Sequence, residues 1–233
     1  MFLNLKSPKT LARVTGITYL VMVPFGILGI LIVPNTMFVA GDMAATIENI
    51  AANKGLFHLA IFSSLFVQFI QILLVLLLYK LLSPASKTAG ILMLAFIFPA
   101  VAIAMLNEVN FLAISSLVSG ATYAAVFTAE QVQGIVGLLF DMHQAGVFVA
   151  QIFWGLWLFP MGYMAYKSGF MPRIIGVLLM IGCFGYLADS VLYVLGVDIG
   201  FTVSEYTFLG EVLLPLWLIV KASSVEKYIT AHA

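Results

Sequence analysis

Residues 57–82 read FHLAIFSSLFVQFIQILLVLLLYKLL, 26 positions with one formal charge, Lys80, close to the end. A helical span needs about 20 mostly apolar residues to cross about 30 Å of hydrocarbon. A barrel strand would instead alternate its side chains over about 10 residues. This run is too long and too uniformly apolar for a strand, so it is a membrane helix.

Five further runs of the same kind surround it: Leu11–Val33, Ala89–Val118, Ala145–Tyr166, Ile174–Leu195 and Val203–Val220. The composition agrees. Of 233 residues, 63% are apolar and 9% charged, with a mean hydropathy of +1.14. Soluble domains carry about 45–50% and about 25%, so an ordinary soluble enzyme and a disordered tail are excluded. Ten basic and ten acidic side chains cancel, which excludes the basic face a nucleic-acid binder needs. The single cysteine, Cys183, cannot form an internal disulfide.

Basic residues set the orientation. With both termini cytoplasmic, Lys6, Lys9, Arg13, Lys80, Lys87, Lys167, Arg173, Lys221 and Lys227 lie inside and only Lys54 outside. The first run follows Lys6, Lys9 and Arg13 as a signal peptide would. It is too long for one and lacks a clean small-x-small cleavage site, so a retained signal anchor is expected. The fold class is therefore an all-α, integral-membrane six-helix bundle over residues 1–233, with both termini cytoplasmic. A homo-oligomer is compatible with this reading.

Three spans open alike. Arg13, Lys87 and Arg173 each stand three residues before a glycine: Gly16, Gly90 and Gly176. The intervening helices end at Lys80, Lys167 and Lys221. This spacing suggests three repeated helical hairpins, with glycines that let helices approach closely near the cytoplasmic face. Common inner-leaflet flanks would give the same pattern.

Two outer connections carry structure of their own. After Gly41-Asp42, the residues Met43, Ile47 and Ile50 fall on one helical face. A short amphipathic helix on the outer surface is expected, capped by Asp42. Residues 128–144 read as helix and extend the fourth span beyond the bilayer. Pro24, Pro99, Pro160 and Pro215 lie within spans and should kink them, as happens around cavities.

Three stretches resemble a known family: Gly41-Asp42-Met43-Ala44-Ala45-Thr46-Ile47-Glu48-Asn49-Ile50, Leu77-Leu78-Tyr79-Lys80-Leu81-Leu82, and the run from Ser168-Gly169-Phe170-Met171-Pro172-Arg173 to Gly185-Tyr186-Leu187-Ala188-Asp189-Ser190. The last is the most specific. Together they are similar to the domain-of-unknown-function 4386 family of bacterial multi-pass membrane proteins. The resemblance implies a prokaryotic plasma-membrane protein and carries no catalytic residue with it.

Ionisable groups inside a membrane are expensive and are functional candidates. At about 1.5 Å per residue, Glu211 falls near the midplane, with Asp189 and Glu108 in the outer quarter. Asn107 and Asn110 flank Glu108, and Gln68, Gln71 and Gln151 lie at similar depths. Ser64, Gln68 and Gln71 share a stripe, as do Asp141, Gln144 and Gln151, and again Tyr186, Asp189 and Tyr193. These residues could line one polar funnel open to the outside. Every deep charge is acidic, so such a funnel would hold protonated acids, a metal or a cationic ligand rather than an anion. His58, Asp141 and His143 at its mouth could supply Zn²⁺ ligands.

Three functions fit. Binding or transport of a small cationic or lipid-like molecule leads. The alternatives are a metal-dependent intramembrane hydrolase and a non-catalytic accessory protein. No P-loop, G-x-S-x-G, H-E-x-x-H or C-x-x-C motif occurs, which excludes ATP-driven transport by this chain alone.

Overall fold

The computed structural model describes residues 7–231, which are helical and contain no strand. Lys6 lies outside the described residues, as does the Lys227 side chain. Helix α1 (Pro8–Gly26) continues through a π-helical stretch (Ile27–Ile32) into α2 (Val33–Met37). Pro24, with no N–H to give, stands just ahead of the π stretch. The amphipathic helix α3 (Met43–Ala52) precedes the long helices α4 (Lys54–Leu82) and α5 (Lys87–Val118). A 3₁₀ turn (Thr122–Val126) then leads to α6 (Ala129–Lys167), followed by α7 (Arg173–Val194), α8 (Ser204–Thr207), α9 (Leu209–Val220) and α10 (Ala222–Ala231).

Five of these are long and apolar enough to cross a membrane: Pro8–Gly29, α4, α5, α6 and α7. They match the first five runs read from the sequence. At 39 residues, α6 measures about 58 Å, so it does exceed a bilayer. The sixth run differs. It is divided at Phe208 into α8 and α9, and α9 alone has 12 residues, about 18 Å of helix.

The expected cap on α3 is present, with Asp42 Oδ1 accepting from Ala45 N at 2.9 Å. Its apolar stripe is covered by protein. Ile50 is buried beside Val33, Phe57, Val136 and Phe140, and Met43 and Ile47 pack against that cluster.

The chain forms two compact units. The first comprises Met1–Val21, Ile70–Val101 and Phe148–Ala233; the second, Met22–Phe69 and Ala102–Val147. Among the described residues, every Lys and Arg except Lys54 belongs to the first.

The three span-opening glycines are points of close approach within the first unit. A Cβ on Gly16 would lie 2.7 Å from Pro215 O on α9, one on Gly90 2.9 Å from the Tyr79 ring on α4, and one on Gly176 2.5 Å from Gly162 O on α6. Each position therefore excludes a side chain. Helix α7 ends in a Schellman turn, in which Gly196 at φ +66° allows Val197 N to reach Leu192 O at 2.9 Å.

Candidate functional site

The first unit gathers a carboxyl, two phenols and an indole from four helices. The Tyr19 hydroxyl on α1 donates to Glu211 Oε2 on α9 at 3.0 Å. Tyr186 on α7 is directed at the same carboxyl. Trp157 on α6, itself buried, lies 6.4 Å from the Tyr19 ring centre to centre. Two glycines build this arrangement. Gly16, one turn before Tyr19, brings α1 against α9, and Gly155 on α6 leaves room for Tyr186, whose Cβ would lie 2.9 Å from a methyl there. Among the described residues, the groups facing Glu211 are hydroxyls rather than cations. Its second oxygen, Oε1, is shielded from solvent and accepts no hydrogen bond.

Asp189 serves a different purpose. Oδ1 accepts from Val203 N at 2.7 Å and Oδ2 from Ser204 N at 2.9 Å. Both oxygens are thus engaged by the free amides at the start of α8, a charge-assisted cap delivered from a neighbouring helix. Gln151 Nε2 donates to Tyr186 O at 3.3 Å, and the Tyr193 ring stacks on Phe148 at 4.0 Å. Gln71 is buried with its Oε1 unpartnered.

The remaining candidates fall in the second unit. Glu108 Oε1 meets His143 Nε2 at 3.4 Å, while Glu108 Oε2 is buried and unpartnered. The His143 ring stacks on Phe111 at 3.6 Å. Asn107 Nδ2 donates to His143 O at 2.7 Å, and Asn110 Nδ2 donates to Asn107 Oδ1 at 3.1 Å. Gly146 makes room for the Asn107 amide, which would collide with any Cβ at that position. Gln68 is buried with its Oε1 unpartnered.

The proposed zinc ligands do not assemble. His58 Nε2 pairs with Ser115 Oγ at 2.6 Å, His143 faces Glu108, and Asp141 is exposed. Among the described residues, no three His, Cys, Asp or Glu side chains are grouped to hold a metal ion. The reason is that D-x-H on a helix points its two side chains about 200° apart, at 100° per residue.

Sequence reading overlooked Tyr19 and took Trp157 for a lipid-facing or packing residue. The available signal was a phenol in an apolar run, since a buried Tyr hydroxyl usually finds a partner.

A family model described as "Domain of unknown function (DUF4386)" matches residues 14–222. The chain belongs to the DUF4386 family. The matched region contains Tyr19, Glu108, Trp157, Tyr186, Asp189 and Glu211. An uncharacterized protein of Archaeoglobus fulgidus is 32% identical over 160 residues, covering 66% of this chain and 77% of its own. No solved structure is a significant match.

In the DUF4386 chain, the stretches that carried the resemblance have architectural roles. Asp42 caps α3, and Thr46 Oγ1 accepts from Val39 N at 2.9 Å. Tyr79 fills the space left by Gly90. Between residues 168 and 190, Gly169 turns the chain at φ +74°, Gly176 and Gly185 admit neighbouring helices, and Asp189 caps α8.

Proposed function

We propose that this DUF4386 member is a six-span plasma-membrane protein that binds and transports a small organic cation, with Glu211 as the binding carboxyl. The observation that carries this reading is Glu211 Oε1, shielded and without a hydrogen bond, on a carboxyl approached by two tyrosine hydroxyls and, among the described residues, by no cation. A carboxyl removed from water either takes a proton or pairs with a cation. Tyr19 and Tyr186, whose hydroxyls are directed at this carboxyl, would favour an alkylammonium over an inorganic ion, because ring quadrupoles attract it as well.

The sixth span in this reading is α8 and α9 together, residues 204–220, about 25 Å of helix. In this reading both termini are cytoplasmic, which the basic residues flanking the inner ends of the spans support. The three-hairpin repeat draws support from the glycine contacts. Gly90 and Gly176 each pack on the preceding helix, and Gly16, on the first, packs on α9 of the last hairpin.

The test is uptake of radiolabelled methylammonium into vesicles containing the purified protein. Wild type accumulates the label, Glu211→Gln does not, and Asp198→Asn, an exposed loop control, behaves as wild type. Equal uptake by Glu211→Gln and wild type would refute the assignment.

A further inference from the structure

We propose a second binding site: an apolar groove among α5, α6 and α7 that holds one acyl chain of an anionic phospholipid, its phosphate at Lys87 and Lys167. This site is independent of Glu211. The groove measures about 510 Å³, within the range of ligand pockets, about 300–1,000 Å³. Leu92, Phe96, Phe184 and Leu187 form its walls. Leu156 and Pro160 also line it; the proline has no N–H for the Leu156 carbonyl four residues earlier, so the helix is weakened at this point.

One end is polar. Ser86, Thr88 and Tyr163 line it, and exposed Lys87 stands between the first two. The Lys167 ammonium lies 4.8 Å from the centre of the Tyr163 ring. The Lys167 ammonium thus borders an otherwise apolar groove, and Lys87 is carried by the segment that forms its polar end.

That polarity identifies the occupant. Lipid tails are as apolar as leucine, so burying a chain in the groove gains little over leaving it in the bilayer. Selectivity must come from the headgroup, and two lysines select a negative one. The cytoplasmic leaflet, where the basic ends of the helices are placed, is also the anionic one.

The protein is purified in micelles with equal phosphatidylcholine and phosphatidylglycerol, and retained lipid is counted by native mass spectrometry. Wild type should keep one phosphatidylglycerol per chain. Lys87→Gln and Lys167→Gln should each raise the phosphatidylglycerol needed for half-occupancy about fivefold, and the double variant about 25-fold. Leu92→Trp, which fills the groove, should abolish retention. No retained lipid, equal retention of both lipids, or unchanged occupancy in the double lysine variant would overturn the proposal. Lysine-dependent retention that Leu92→Trp leaves intact would place the lipid elsewhere and overturn it too.

Discussion

The Tyr19 hydroxyl reaches Glu211 Oε2 at 3.0 Å, one helical turn from where Gly16 lets α1 close on the Pro215 carbonyl. The hydrogen bond and the glycine belong to one contact between α1 and α9. Removing the donor should therefore loosen the contact without unfolding it. Tyr19→Phe should lower stability by about 0.6 kcal/mol, the mean for single interhelical hydrogen bonds in membranes, and by no more than about 1.7 kcal/mol. Thermal unfolding followed by tryptophan fluorescence measures this. Glu211→Gln, nearly isosteric and still able to accept from Tyr19, should unfold within a few degrees of wild type. A collapse of the fold in that variant would mark Glu211 as structural.

Asp189 should behave in the opposite way. An amide supplies one acceptor where the carboxylate supplies two, and its N–H₂ would face a backbone N–H. Asp189→Asn should cost about 1–3 kcal/mol, whereas a replacement far from polar contacts would cost little. The loss should appear as faster amide exchange at residues 203–207, where α8 begins. Unchanged exchange there would show that the cap contributes nothing.

Glycine positions separate helix contacts from open surface. Gly176→Ala places a methyl 2.5 Å from Gly162 O and 2.6 Å from Tyr166 N, and both of those atoms belong to backbone that cannot step aside. A cost of about 1–3 kcal/mol is expected from the overpacking. Gly134→Ala meets nothing within 4 Å and should gain about 0.5–1 kcal/mol from the loss of chain freedom when unfolded. Unfolding midpoints in one detergent compare the two directly.

Asn107 and Gly146 should be coupled. The Asn107 amide occupies the space a Cβ at residue 146 would need, and it donates to His143 O at 2.7 Å. Gly146→Ala should destabilise the wild type yet be tolerated once Asn107→Ala has vacated the space. The interaction measured by the double-mutant cycle should fall in the 0.5–3 kcal/mol range of contacting pairs. Additive effects would mean that the two residues do not share that contact.

Much of the fold was legible because hydropathy and caps act locally. The first five spans, the extension of α6 and the Asp42 cap all follow from residues within a few positions of one another. The break at Phe208 and the helix after Lys221 were not legible. The break lies beside the amides that Asp189 holds from 14 and 15 residues away, and no periodicity encodes a partner that is backbone. Within α10, Glu226 accepts from Ser7 Oγ at 2.9 Å, a partner more than 200 residues earlier. A charge at midplane depth identified Glu211, and a stripe identified Tyr186, as polar positions. Tyr19 escaped because its role depends on Gly16, a contact made across the chain rather than along it.

The most direct measurement is the reaction of the folded protein with a lipid-soluble carbodiimide, which modifies protonated carboxyls in apolar surroundings. Adducts are mapped by peptide mass spectrometry. A cation-binding carboxyl predicts an adduct on Glu211 that methylammonium suppresses in a concentration-dependent manner, with Asp189 unlabelled under both conditions. No adduct on Glu211, or an adduct that methylammonium leaves unchanged, would contradict the assignment of Glu211 as the cation site.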